Sequence, residues 1–406
     1  MSTLQVSNRL IAECLLKIVL ADQDAATSSA EELAKQAYWR RTLHLAKIWR
    51  VVPQFKNRID TLALPVDLNT AHELREAHIQ SSARSMMALH LCSLIFREFN
   101  RKQLPAVAFK GVGLIGSLYQ GPTDRSMNDI DILVRPEDLK HAYRTVRTLG
   151  FTPITDRLTS YSDFLEDNAI VLTNNDGFEL DLHAGQDSRR GSTVLSAKRI
   201  IARAETVDMR GAPVLVPNPF DAMMITVQHS LHHNFDPTET VRDMCDLRRW
   251  WTVHSKMDIG DAVSEVTKYD LLEPCLAVWT ILRKLGPSNT IADMTEQLSL
   301  NASAAEVESA QNLRGLFEYQ LGSKAISTLL LRIMADPLGM GRYLASRVKK
   351  GAANLHALPN AQRKEPTGQV ILNEVSRFVW EILSLNSDKL GFYQALVRAH
   401  MKHPRQ

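Results

Sequence analysis

The stretch Val107-Ala108-Phe109-Lys110-Gly111, followed after a short interval by Asn128-Asp129-Ile130-Asp131-Ile132-Leu133-Val134, decides how the chain is read. Side chains alternate along a strand, so Asp129 and Asp131 share one face while Ile130, Ile132 and Val134 share the other. The apolar face packs inward, and the carboxylates project from a rigid element as a catalytic pair should. Spacing alone carries little weight, because Asp22-Gln23-Asp24 repeats it in an Ala/Ser/Thr-rich stretch that reads as a solvated loop. The hydrophobic strand and the Lys-Gly strand end ahead of it set the second pair apart.

Working outward, Pro105 to Phe109 reads as a short strand, and Gly111 frees the backbone to turn into a helix from Val112 to Tyr119. After the 129–134 strand, Arg135-Pro136-Glu137-Asp138 opens a helix, with proline in its first turn and acids at its positive dipole end. That helix ends at Leu149-Gly150, and Phe151 to Ile154 is a brief strand. Ala169 to Thr173 and Phe178 to His183 form a hairpin around Asn174-Asn175-Asp176-Gly177, where Asp-Gly is the turn cue. On its return strand Glu179, Asp181 and His183 share a face, which adds a third carboxylate to the same small sheet. Glu205–Met209 and Val214–Val216 read as another hairpin around Arg210-Gly211.

Three carboxylates on neighbouring strands of a mixed sheet suit nucleotidyl transfer. Asp129 and Asp131 would hold divalent metal, and Asp181 would hold metal and take the proton of the attacking acceptor. Oxygen ligands favour Mg²⁺ or Mn²⁺, whereas zinc would want His or Cys. Lys110 and the Gly111 turn are placed to hold a triphosphate, although Lys110 could instead cap the strand edge. Arg125 could serve the nucleotide or pair with Asp129. A second constellation joins His229, His232 and His233 with Asp243 and Asp246. His229 and His233 stand four apart on one helix, a spacing that also fits zinc, but no Glu or Cys completes such a site. They read instead as cleft lining or as bonds across two packed helices, with Asp246 bonded to one histidine and with Glu179 and His183 flanking Asp181.

Phe109-Lys110-Gly111, Tyr119, Arg125, Asp129 to Val134, Leu149-Gly150-Phe151 and Leu180-Asp181-Leu182-His183 together resemble a bacterial nucleotidyltransferase family of largely unassigned function in the polymerase-β superfamily. The likeness covers Leu68 to Trp251, including Pro217 to His233 and Asp243 to Leu247. It implies an NTP, ATP first among them, as donor, Mg²⁺ or Mn²⁺ as cofactor, and an acceptor the motifs do not name. The chain departs from the superfamily's Gly-Gly or Gly-Ser at the first strand end, where Lys110-Gly111 stands. Gly116-Ser117 has the right spacing to Asp129 but falls inside the predicted 112–119 helix. The departure leaves open a module that keeps the fold and binds nucleotide without turnover.

The 406 residues, 45% hydrophobic and 23% charged, suit a globular protein of two or three lobes. The expected class is α+β. A small mixed-sheet nucleotidyltransferase core (101–218) is flanked by an N-terminal helical region (1–100) and a large all-α lobe (219–406). In the first region Ser28/Ser29 with Glu31/Glu32 form overlapping capping boxes ahead of a helix reaching Val51, which Pro53 ends. Thr70 to Glu73 caps a second, long helix in which Met86 and Met87 read as core filler. After Phe220 helices are expected at Asp221–His233, Thr240–Val253, Asp261–Lys268, Pro274–Leu285 and Ala304–Leu321. Others follow at 323–334, 341–350, 368–385 and 390–400, with a linker at 354–366. Trp250 and Trp251 read as packing. A net charge of +3 is too mild to announce nucleic acid. The segment from Gly341 to Gln406 nevertheless carries 11 Lys/Arg against 4 acids, which favours, as a further alternative, a toxin-like nucleotidyltransferase acting on RNA. Four scattered cysteines, no basic leader and no long apolar run give the expectation of a cytoplasmic protein without a membrane span.

Overall fold

The computed structural model describes residues 3–153, 169–184, 195–233, 235–286 and 289–321. The helices expected at 323–334, 341–350, 368–385 and 390–400, the 354–366 linker and the basic 341–406 segment lie outside the described residues. The described chain is mostly helical around one small mixed sheet.

That sheet has the spatial order β1-β2-β5-β4-β3, with β1 Ala106–Phe109, β2 Asp129–Val134, β3 Thr152–Pro153, β4 Ala169–Thr173 and β5 Glu179–His183. β2 pairs antiparallel with β1 and parallel with β5, while β4 pairs antiparallel with both β5 and β3. Ile130, Ile132, Leu180 and Leu182 fill one face and are fully buried. The other face carries Asp129, Asp131, Glu179, Asp181 and His183. Because the side-chain period is two, the register Asp131↔Asp181 alone puts all five on one side. The β4–β5 turn closes at Gly177, whose φ of +73° is the left-handed conformation its Asp-Gly sequence favours.

Five helices precede the sheet: α1 Thr3–Leu20, α2 Gln23–Lys35, α3 Trp39–Ile48, α4 Val52–Leu62 and α5 Leu68–Arg101. Several local expectations change here. Asp22 is not in a loop; its side chain accepts the Ala25 amide as the N-cap of α2, and Ser28 and Ser29 lie inside that helix. Pro53 begins α4 instead of ending its predecessor, as a proline in the first turn does. Asp67, not Thr70, caps α5 by accepting the Thr70 amide. Met86 and Met87 are exposed, so they do not fill the core.

After β1 comes a one-turn helix α6, Lys110–Leu114, shorter than the expected 112–119. Gly116 therefore lies beyond it at φ +86°, in a turn closed by its own amide donating to the Tyr119 carbonyl. α7 (Leu139–Thr148) follows β2, and α8 (Ala197–Arg203) leads into the hairpin of β6 Glu205–Met209 and β7 Ala212–Val216. The remaining described helices are α9 Pro219–His232, α10 Pro237–Val253, α11 Ile259–Lys268, α12 Leu272–Leu285, α13 Asn289–Asn301 and α14 Ala304–Gln320. Of these, α13 has no counterpart in the sequence reading. Trp250 and Trp251 are buried in an edge-to-face pair. One continuous apolar core runs from Ile11 to Phe317. All four cysteines are free and buried. Among the described residues no helix is long and apolar enough to cross a membrane.

Candidate functional site

The site begins where β1 stops. Lys110 adopts a left-handed backbone (φ 49°), unusual for a side chain with a Cβ, and this turns the chain sharply from strand into α6. Gly113 allows the tightness of that turn, since a Cβ there would lie 2.4 Å from the Ala108 carbonyl oxygen. The Lys110 ammonium reaches back over the sheet, 5.2 Å from the Phe109 ring centroid, and donates to Asp131 Oδ1 at 2.7 Å. His183 Nε2 approaches the same oxygen at 3.1 Å, and its ring stands edge-on to Phe109 at 4.9 Å. Asp131 is 3% exposed and so meets these partners away from bulk water.

The charges are tuned by this crowding. Burial pushes the Asp131 carboxyl up, but Lys110 and His183 together hold it well below the usual carboxylate range. Asp181 has less relief: burial, followed by the Asp131 charge, pushes it up to about 7 against the pull of Lys110. Asp129 is raised by burial and then by Asp131, against the pull of Arg242, Lys110 and Arg50. Burial alone would lower the Lys110 ammonium, and Asp131 with Asp129 and Asp181 raise it above its ordinary value.

A divalent cation fits these residues. Asp131, Asp181 and His183 offer ligand atoms that all lie within 4.8 Å of one another. Asp181 Oδ1 is a buried carboxylate oxygen that accepts no hydrogen bond. Such an atom costs free energy unless a cation or proton meets it. Of the expected trio, this tight group contains Asp131 and Asp181, with His183 beside them. The register sets Asp129 opposite Glu179, whereas Asp131 faces Asp181.

Arg125 and Asp246 depart furthest from expectation. Arg125 does not pair with Asp129. It is 3% exposed and donates through Nε and Nη2 to both oxygens of Asp246 on α10, at 2.7 to 3.1 Å. Tyr119 donates to Asp246 Oδ1 at 2.5 Å, and among the described residues Asp246 is bonded by Arg125 and Tyr119 where a histidine was expected. A buried guanidinium needs a full carboxylate partner, and α10 supplies it. Gly111 belongs to the same arrangement: a Cβ there would lie 3.0 Å from Arg125 Nη1, so the small residue makes room for that guanidinium.

The histidine contact falls to Asp243, which accepts from Ser230 and meets His229 Nδ1, both at 2.8 Å. The His229 and His233 rings are 4.5 Å apart, and burial, with Lys110 among the contributing charges, keeps both well below their ordinary pKa. They belong to no metal-holding group among the described residues. The sequence reading missed Arg242 and Arg50. Arg242 precedes Asp243 on α10, is 7% exposed, and keeps a buried Nε without a hydrogen-bond partner. Glu239 ties it to Arg50, at 2.8 and 3.5 Å respectively. The available signal for Arg242 was a cation immediately ahead of the Asp243-to-Asp246 segment.

Comparisons with known proteins agree with this geometry at the level of family. A search of curated proteins finds no match. One solved structure, an antigenic nucleotidyltransferase-like protein from Paracoccidioides brasiliensis, aligns over 43% of this chain and 78% of its own with 12% identity and a TM-score of 0.30, too distant to carry an argument. The family model described as uncharacterised nucleotidyltransferase matches residues 35–287, a span that encloses the sheet, Lys110, the carboxylates and α10. The chain belongs to that nucleotidyltransferase family.

Proposed function

We propose that the protein moves a nucleoside monophosphate from a nucleoside triphosphate, ATP first among them, to an acceptor hydroxyl or phosphate. Mg²⁺ or Mn²⁺ would be held by Asp131, Asp181 and His183. The observation that carries this reading is the buried, unbonded Asp181 Oδ1 beside two other ligands within 4.8 Å. A divalent ion there would stabilise the charge that develops on the transferring phosphoryl group.

Asp181, with its pKa near 7, is matched to take the acceptor's proton at neutral pH. The acceptor oxygen bonds to the α-phosphorus as the bond to pyrophosphate breaks, and pyrophosphate leaves with the electron pair. Lys110 places a positive charge beside the reacting phosphates, and Asp129 completes the acidic rim. Arg125 acts at one remove by holding the Gly111 turn.

The test is incubation with α-labelled NTPs and Mg²⁺ or Mn²⁺, with cell extract as the acceptor pool, alongside Asp129→Asn and Asp131→Asn. Label transfer lost in both variants supports the reading. Failure of the wild type to bind any NTP would sink it. Label that survives RNase excludes an RNA acceptor.

A further inference from the structure

The nucleotidyl-transfer reading leaves a question of charge: how many metal ions the site takes. Two-ion phosphoryl-transfer sites place their cations about 3.5 to 4 Å apart, with carboxylates spanning them. Here a side-chain cation already sits against one of the candidate metal-binding carboxylates. Lys110 Nζ lies 2.7 Å from Asp131 Oδ1, the same oxygen that His183 Nε2 approaches at 3.1 Å.

We propose that the Lys110 ammonium permanently occupies one of the two cation positions, so that the protein works with a single divalent ion, held by Asp131, Asp181 and His183. This inference rests on the metal-dependent reading of the site and specifies its stoichiometry.

Three features support it. The first is charge balance. Asp129, Asp131, Glu179 and Asp181 share one face of the sheet, and the Lys110 ammonium already neutralises Asp131, which lessens the attraction for a second divalent ion beside it. The second is construction. Lys110 is no wandering surface residue, because its left-handed backbone at the end of β1 fixes where the side chain starts. Phe109 lies beneath the ammonium on one side and against the His183 ring on the other, so lysine and imidazole are held to the same carboxylate. The third is ligand use. Lys110 and His183 both engage Oδ1 of Asp131, while Asp181 Oδ1 is left without any donor. The carboxylate oxygen left for an ion is thus one that the lysine does not bond.

The experiment counts ions without requiring turnover. Full-length protein is mixed with two equivalents of Mn²⁺ and an unreactive α,β-methylene NTP and frozen for electron paramagnetic resonance, which separates an isolated ion from a spin-coupled pair. Wild type should give an isolated ion, one per chain. Lys110→Gly, which suits the positive φ, and Lys110→Met, which keeps the chain length without the charge, should give the coupled pair. Circular dichroism confirms that each variant is folded, and one folded variant suffices. A coupled pair in the wild type overturns the inference and leaves the metal-dependent function standing. An isolated ion in a folded Lys110 variant also overturns it. No bound Mn²⁺ in any form overturns both the inference and the function it rests on.

Discussion

Arg125 and Asp246 stand 121 residues apart in sequence and meet as a two-pronged ion pair with almost no solvent contact. Through this pair the helical part of the chain holds the turn that presents Lys110. Removing one partner strands the other as a buried charge, so Asp246→Ala should cost about 3 to 5 kcal/mol. The apolar double variant Arg125→Met with Asp246→Leu should regain much of that loss, since no charge is then stranded. Urea midpoints for wild type and the two variants check this; a loss below about 1 kcal/mol for Asp246→Ala would show the pair to be dispensable.

The glycines of this region grade themselves by what surrounds them. At Gly113 an added methyl meets the Ala108 carbonyl oxygen at 2.4 Å, backbone that cannot move without parting β1 from α6. At Gly111 it meets the end of the Arg125 side chain at 3.0 Å, and at Gly121 it meets nothing within 4 Å. The Ala substitutions should therefore rank Gly113, then Gly111, then Gly121 in cost. The first should lose about 3 kcal/mol or more and the last less than about 1. Thermal melts of the three variants would refute the ranking if Gly121→Ala proved the worst.

Asp181 gives the protein a pH signature. A carboxyl whose pKa folding raises binds its proton more tightly in the native state. Its contribution to stability is full below its unfolded value of about 4 and is lost as pH rises through about 7. Asp181→Asn cannot ionise. In metal-free buffer at pH 8 it should be more stable than wild type by about 1 to 3 kcal/mol, with a smaller difference at pH 4. For the wild type, Mn²⁺ affinity should fall about tenfold per pH unit below 7 and level off above it, because one proton must leave for the metal to bind. Urea titrations and calorimetry at several pH values test both statements; a flat Mn²⁺ affinity between pH 5 and 7 contradicts the second.

His183 should set metal preference. An imidazole among carboxylates favours Mn²⁺ over Mg²⁺ relative to an all-oxygen set. His183→Asn should weaken Mn²⁺ binding about 10-fold or more and affect Mg²⁺ less. Parallel calorimetric titrations decide it, and an equal loss for both ions would count against ligation by the ring.

Much of this was legible from residues alone. The sheet could be read because period-two burial at Ile130, Ile132, Leu180 and Leu182 is a local signal, and because Asp176-Gly177 marks its hairpin. The helix boundaries near the N-terminus were harder, since Asp22 and Asp67 outcompete the Ser and Thr candidates as caps, and side-chain chemistry alone does not rank them. The partner of Arg125 was out of reach in principle: two aspartates of α10, three residues apart, look alike in sequence, and only docking sends Asp243 to His229 and Asp246 to Arg125. Glycine at 111 was read as room for phosphate because the guanidinium that fills that room arrives from another segment. That Asp131 lies directly opposite Asp181, with His183 reaching the same Asp131 oxygen, follows from the pairing of β2 with β5, which no local pattern fixes.

The parallel pairing of β2 with β5 also bears on how the molecule comes together. The β4–β5 hairpin closes through a few residues at Asn174–Gly177 and needs no other part of the chain. Asp131 and Asp181 meet only when the 49 intervening positions close as a loop, an entropically costlier event. In the unfolded chain the carboxylates lie apart, and each ionises as an ordinary acid. The tight ligand group is therefore a property of the folded sheet, and unfolding disperses it.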